Sequence, residues 1–434
     1  MDFPVVEVPL IGGRMLIALV GIIHVLISHG CAVGGSFFLV LLEYKSIRER
    51  NERLNLVAYR LTRWFFILTT SVGAMTGVGI WFTTNMFSPV GIGSLLRVFF
   101  WAWFVEWLVF ITEIVLVAVY YLSWRRMSPQ KHLRVGIAYI LTSLQTMIII
   151  VGILGFQLTS GKWMSTRSFW DGFFNPTYVP QLFSRIALAG ILACAFCLLI
   201  YAFLRDLRDV RTQFLRFSGA YLLFVSPLYL LATFAYYQVL PERAQAFISV
   251  ALVTLQLTQY AQWSKIFFVA VVGVMLLTGA VLFLKQRTYG VLSILPILVL
   301  TVAVAQFERV REFARKPYVV DGYLYSNGFR KVELPFISDV GASRYATWAW
   351  RGLDQKKGDA ALGHMLFRLE CSTCHTYRGI NGIFRKKILA PGEEAALRFL
   401  NTYEFSHPYM PPFAGTQSEK EALAYFLGEG ATKK

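Results

Sequence analysis

The run RVFFWAWFVEWLVFITEIVLVAVYYLS, residues 97–123, is too long and too apolar for a water-soluble domain. Wound as an α-helix, a stretch of this length crosses a hydrocarbon core of about 30 Å. Past Arg97 its only charged residues are Glu106 and Glu113. Residues seven apart on an α-helix differ in direction by only about 20°, so the two carboxylates share a face and form a line leading into the protein. An ionisable group at membrane depth costs about 3 kcal/mol. Such groups persist where they bind or conduct something, and two on one face suit a cofactor ligand followed by a proton relay.

The same character recurs over roughly the first 310 residues. The chain is 56% hydrophobic and 16% aromatic, with a mean hydropathy of +0.53, which excludes a soluble globular protein. Spans are read at residues 14–42, 64–83, 97–123, 135–157, 185–204, 217–239, 262–284 and 290–309. The predicted fold class is all-α, a polytopic transmembrane helix bundle of about eight spans. Residues 244–261 are apolar but dotted with Gln and Thr. They are read as a helical extension outside the bilayer or at its interface, with a ninth span as the alternative.

Lys and Arg collect in four connections: Lys45, Arg48, Arg50, Arg53, Arg60 and Arg63; Arg125, Arg126, Lys131 and Arg134; Arg205, Arg208, Arg211 and Arg216; Lys285 and Arg287. Basic loops stay cytoplasmic, so both termini face outward, in the periplasm of a bacterial inner membrane. The first apolar segment outruns a signal h-region and lacks a small-residue cleavage site, so it is expected to remain as an anchor. The net charge of +17 is largely this positive-inside excess. Arg330, Lys331, Arg344, Arg351, Lys356, Lys357, Lys386 and Lys387 lie outside it. They form either a solvated surface or a means of steering an acidic redox partner.

Cys371, Cys374 and His375 form a C-x-x-C-H run, the spacing at which two thiols add across haem vinyls while the histidine ligates iron. A zinc half-site is the competing reading. Met410, in Tyr-Met-Pro-Pro-Phe, follows at a distance that lets the chain wrap the haem, and a thioether opposite imidazole raises the reduction potential. With Gly363, Phe367, Gly379 and Gly382 flanking the run and a closing helix at residues 418–427, the segment 352–434 resembles a class I cytochrome c domain. One covalent haem c is expected there. Residues 1–317 then form a transmembrane haem-binding domain, and residues 318–351 a linker. That linker is aromatic and basic, so it is expected to pack on the outer membrane face.

Further ionisable residues stand inside or at the ends of spans: His24, His29, Lys265, Glu308 and Glu312. Five residues apart on a helix, His24 and His29 point about 140° away from each other and do not serve one iron easily. His29 is either a ligand in its own right or a hydrogen-bonded helix histidine. Cys31, Cys194 and Cys197 are read as small packing residues.

Over roughly residues 10–330 the chain resembles subunit I of the cytochrome bd-type quinol oxidases. The matching stretches are Ala-Leu-Val-Gly-Ile-Ile-His24, Leu61-Thr-Arg-Trp64, Gly73-Ala-Met-Thr-Gly77, Glu106 to Trp124, Phe174-Asn-Pro176 and Glu312-Phe-Ala-Arg315-Lys-Pro317-Tyr. The last is close to the family signature Glu-x-Gly-Arg-Gln-Pro-Trp. The resemblance implies that His24, Glu106 and Glu312, with Arg315 beside them, hold two closely spaced haems of b and/or d type, and that Glu113 belongs to the proton path. The carboxylates of the third span are one residue closer than in the family pattern, which leaves open which of them binds iron. At the positions where the family holds a low-spin haem b, this chain has Ser184 and Phe267. The long outward loop of the quinol site is replaced by a tight turn over Gln238 to Ala246.

These departures imply that a low-spin haem and the quinol site are lost and that the c haem is the electron port. The expected function is a redox protein passing electrons between a periplasmic c-type haem and a bd-like haem pair, as a cytochrome c-fed oxygen reductase. The alternatives are an electron-transfer or anchor subunit of a larger respiratory complex, or a membrane part that only displays the cytochrome domain. Expected partners are a periplasmic redox protein, other membrane subunits and the bilayer. Nothing in the sequence points to nucleic acid.

Overall fold

The computed structural model describes residues 3–253, 264–285, 290–351, 359–380, 382–383 and 392–432. Arg287, Lys356, Lys357, Lys386, Lys387 and the stretch 254–263 lie outside the described residues, as does the side chain of Lys265. Among the described residues, eight helices are long and apolar enough to cross a membrane: Gly13–Arg48, Glu52–Phe87, Phe100–Leu122, Pro129–Leu158, Tyr178–Ala202, Arg205–Gln238, Ile266–Leu284 and Gly290–Ala314. They are called the first to eighth spans below. Several outrun the predicted segments because amphipathic turns extend each helix beyond its apolar centre, as at Glu43 to Arg48, where the sequence turns polar but the helix continues.

The fifth span is the hub. Leu188, Ile191, Leu192 and Leu198 are buried against the first, sixth and eighth spans, and Cys31, Cys194 and Cys197 are 0% exposed in the same core. Two of the helices change pitch in mid-span. A π-helical turn occupies Ser28–Val33 in the first and another Thr69–Gly73 in the second. Such turns re-aim side chains and release carbonyls from the i to i−4 ladder.

The basic connections meet at one end of the bundle. Arg53 pairs with Asp209 and Arg60 with Asp206, both at 2.8 Å, while Trp124 donates to Asn55 at 2.9 Å and Arg216 lies over the Phe283 ring. At the opposite end the sixth span stops at Gln238, and the helix Glu242–Val253 begins after Pro241, so the turn between them is tight.

Beyond the eighth span the chain makes a short antiparallel hairpin, Tyr318–Val320 with Leu324–Tyr325. Val319, Val320 and Leu324 are buried with Phe99, Phe156 and Trp163 of the membrane bundle. Phe329, Ile337, Ala342 and Ala346 instead join a second core with Met365, Leu366, Phe367, Leu400 and Leu423. That core binds the helices Asp359–Leu366, Glu393–Ser406 and Gln417–Thr432 into a small all-helical unit. The unit rests on the bundle end opposite the basic loops. Ile380 N–H donates to the Leu10 carbonyl at 2.8 Å, and the Tyr409 ring packs on Phe313 at 5.2 Å.

Candidate functional site

The cysteine turn is built by local geometry. A π-helical turn runs Phe367–Cys371, and the N–H groups of Cys374 and His375 both donate to the Cys371 carbonyl, at 3.0 and 2.9 Å. One tight turn therefore carries both thiols and the imidazole, all half-buried. Met410 and Cys371 pack against the same apolar core. The Met410 loop is fixed by Tyr403 OH donating to Pro411 O at 2.9 Å and by Ala414 N–H donating to Glu370 at 3.3 Å. A Cβ on Gly363 would stand 2.2 Å from the Ala422 carbonyl oxygen, so only glycine lets the first and last helices of the unit cross this closely. Cys371 and Met410 on one apolar core, with Cys374 and His375 on the same turn as Cys371, make a donor set that fits a covalently held haem. Burial drives the Cys371 thiol upward, whereas at Cys374 the opposing charges of Arg14 and Lys316 overcome burial and lower it.

Directly beneath the turn lies the end of the eighth span. Glu312 Oε1 accepts from Arg14 Nη1 at 2.8 Å, and its other oxygen pairs with Arg315. Arg14 also donates to Ser326 O at 2.9 Å and Arg315 to Gln157 Oε1 at 2.7 Å. Each carboxylate oxygen retains a further lone pair, and the Glu312 side chain is 30% accessible, so the group can still meet a metal. Lys316 Nζ reaches Cys374 Sγ at 3.6 Å. Its burial, together with the Arg14 charge, brings its ammonium down to about 8.

Of the other candidates, His24 Nδ1 sits 3.2 Å from both Gly73 O and Thr76 Oγ1. A side chain at Gly77 would crowd its ring, with Cβ 3.2 Å from Cε1. Bonding at Nδ1 fixes the ring and leaves Nε2 for a metal. Glu106 is half-buried, and it has no hydrogen-bond or ion-pair partner among the described residues. A carboxylate at membrane depth with no protein partner fits a ligand to an iron. Glu113 is the satisfied member of the pair. It is buried, with Ser143 Oγ donating at 2.6 Å and Thr146 Oγ1 at 3.3 Å.

His29 is committed elsewhere. Its Nδ1 lies 3.2 Å from Ser28 Oγ and its Nε2 3.1 Å from Arg185 Nη1, so neither ring nitrogen is directed at a metal. Arg185, 2% exposed, donates to Glu308 Oε1 at 3.0 Å, and Glu308 Oε2 accepts from Arg311 Nε at 2.8 Å. The neighbouring Ser184 bonds Thr233 at 2.7 Å, while Phe267 is 46% exposed.

Sequence reasoning missed Arg14, Arg185 and Lys316. It also missed a buried cluster toward the basic end, where Glu43 binds His132 Nδ1 at 2.6 Å and Tyr120 OH at 2.7 Å. Glu43 falls just past the predicted end of the first span and His132 between Lys131 and Arg134, so both look like loop residues. The available signal was length: each lies within a turn or two of an apolar helix that could continue.

Residues 13–239 match the family profile described as cytochrome bd terminal oxidase subunit I. Among solved structures, the chain is similar to the bd oxidase from Geobacillus thermodenitrificans, with a TM-score of 0.59 at 16% identity, over 71% of this chain and 88% of that one. That likeness is one of fold. No curated protein matches the chain.

Proposed function

The chain belongs to the cytochrome bd terminal oxidase subunit I family, and from that membership we propose that it is a cytochrome c-fed oxygen reductase, taking electrons through a haem c on Cys371 and Cys374. It is a transmembrane, bd-like redox protein. The observation that carries the finer reading is the seating of the Cys-x-x-Cys-His turn on the end of the helix bearing Glu312, with Lys316 against Cys374.

In this reading His375 and Met410 hold the iron of the c haem, while His24, Glu106 and Glu312 hold a haem pair of b and/or d type in the bundle. When bound, these haems store electrons and provide the iron at which oxygen is reduced. Arg14 and Arg315 fix the Glu312 carboxylate and balance its charge. Glu113, held by Ser143 and Thr146, stands about 10 Å along the same helix from Glu106 and serves as a relay on the proton path toward it. Ser184, bonded to Thr233, and Phe267 stand where the family places low-spin haem ligands, and the network of Arg185, His29 and Glu308 fills the space beside Ser184, which supports loss of that haem. The tight turn after Gln238 supports loss of the quinol site. The basic end faces the cytoplasm and the haem c unit the periplasm.

An optical spectrum of reduced protein before and after carbon monoxide tests this reading, together with oxygen uptake driven by reduced cytochrome c. A c-type band, a carbon monoxide shift in the membrane haems and cytochrome-driven uptake are expected. Membrane haems that ignore carbon monoxide would overturn oxygen reduction in favour of an electron-transfer subunit.

A further inference from the structure

We propose that Lys316 is the positioning residue that joins the two redox units of this chain, its ammonium raising the potential of the haem on Cys374 and its side chain bridging that haem to the helix of Glu312. The inference rests on the proposed function and goes beyond it, because it assigns the junction to a residue outside both ligand sets. Where the signature of the resembling family carries glutamine, this chain carries lysine, and the lysine reaches the sulfur of an attachment cysteine at 3.6 Å. A glutamine at this position is shorter and neutral, and would take the ammonium charge away from that sulfur.

The location is an unfavourable one for a cation. Lys316 is 9% exposed, and Arg14 and Arg315 already neutralise the nearest carboxylate, Glu312. A third cation in the same buried patch gains little there from charge pairing. Its benefit lies at the cysteine. A fixed positive charge beside a haem favours the reduced form, which carries one positive charge fewer, and so raises the potential. From Glu312 the backbone runs unbroken to Lys316, and its side chain ends on Cys374, so bonds and one contact link the two cofactor sites.

The test compares Lys316→Gln and Lys316→Arg with the parent in the full-length, haem-loaded protein. Covalent haem is quantified by pyridine haemochrome, the c-haem midpoint by potentiometric titration, and internal electron transfer by flash photolysis of the carbon monoxide adduct. Lys316→Gln should keep its haem and lower the midpoint by a tenfold change in the reduction equilibrium, about 59 mV for one electron, while internal transfer slows about tenfold. Lys316→Arg should recover most of the midpoint. An unchanged midpoint in Lys316→Gln with full haem content would overturn the inference while leaving the proposed function standing. So would an equal fall in both variants, which marks packing and not charge. A parent protein without covalent haem would overturn both, and the haemochrome assay alone reveals that case.

Discussion

Arg185 and Glu308 form a 3.0 Å ion pair within the membrane bundle, their side chains 2% and 11% accessible. His29 and Arg311 complete the network. Stranding a buried charge costs about 3–5 kcal/mol, and losing Arg185 costs part of that, since Glu308 keeps Arg311 as its remaining partner. Arg185→Leu should therefore lower the unfolding midpoint of the detergent-solubilised protein by several degrees. The triple variant Arg185→Leu, Glu308→Leu, Arg311→Leu should recover a large part of that loss, because neither the carboxylate nor the Arg311 cation that shares it then remains buried without a partner. A triple variant as unstable as the single one would refute the network's contribution.

Replacing both Cys371 and Cys374 with serine should abolish covalent haem, read as loss of the haem-stained band on a denaturing gel. The membrane haem bands should persist, since His24, Glu106 and Glu312 lie outside the altered turn. Simultaneous loss of all haem would show that the two sites do not load independently.

Of the proposed membrane ligands, Glu106→Gln and His24→Ala should each deplete or shift the bundle haem spectrum while the c band stays intact. Glu113→Gln should leave the spectrum unaltered yet reduce cytochrome-driven oxygen uptake about a hundredfold, the scale on which a positioned proton donor acts. Ser143→Ala should fall between, because Thr146 still donates to the carboxylate. A spectral change in Glu113→Gln without change in Glu106→Gln would exchange their roles.

Burial holds the Glu370 carboxyl up to about 8, against lowering hydrogen bonds from Asn327 and Ala414. The folded unit thus keeps a proton that the unfolded chain releases near the ordinary value of 4.5. Because the folded state binds more protons between these limits, stability is greatest below about 4.5 and declines as pH rises toward about 8. Thermal unfolding followed at the haem c band should show that decline. Glu370→Gln, which mimics the protonated acid, should flatten it, and a decline of the same slope in the variant would assign it to other groups.

The bundle was legible because lipid demands long apolar helices, a requirement written directly into residues such as those from Phe100 to Leu122. The closeness of Cys371, Cys374 and His375 was equally legible, since residues three and four apart meet in one hydrogen-bonded turn. Helix ends were not. Glu43 lies where the sequence turns polar, and the helix continues because His132 and Tyr120, from elements far along the chain, satisfy its carboxylate. Arg185 was hidden for the same reason. An arginine beside an apolar helix start reads as an interfacial residue until Glu308 is seen to face it. His29 illustrates the converse, since its residue type suggested a ligand and only the three-dimensional arrangement supplies the guanidinium that occupies it. Lys316 sat in plain view within a motif, but nothing local tells that its partner is Cys374.

The hydrogen bond from Ile380 to Leu10 has a consequence for biogenesis. Leu10 precedes the first segment to enter the bilayer, whereas Ile380 is synthesised after the eighth has been inserted. The opening strap must therefore wait, unclasped, through the production of nearly the whole polypeptide. That bond can form only once residue 380 has been made, so the segment carrying Leu10 is fixed to the turn of Cys371, Cys374 and His375 late in folding, after the membrane helices between them.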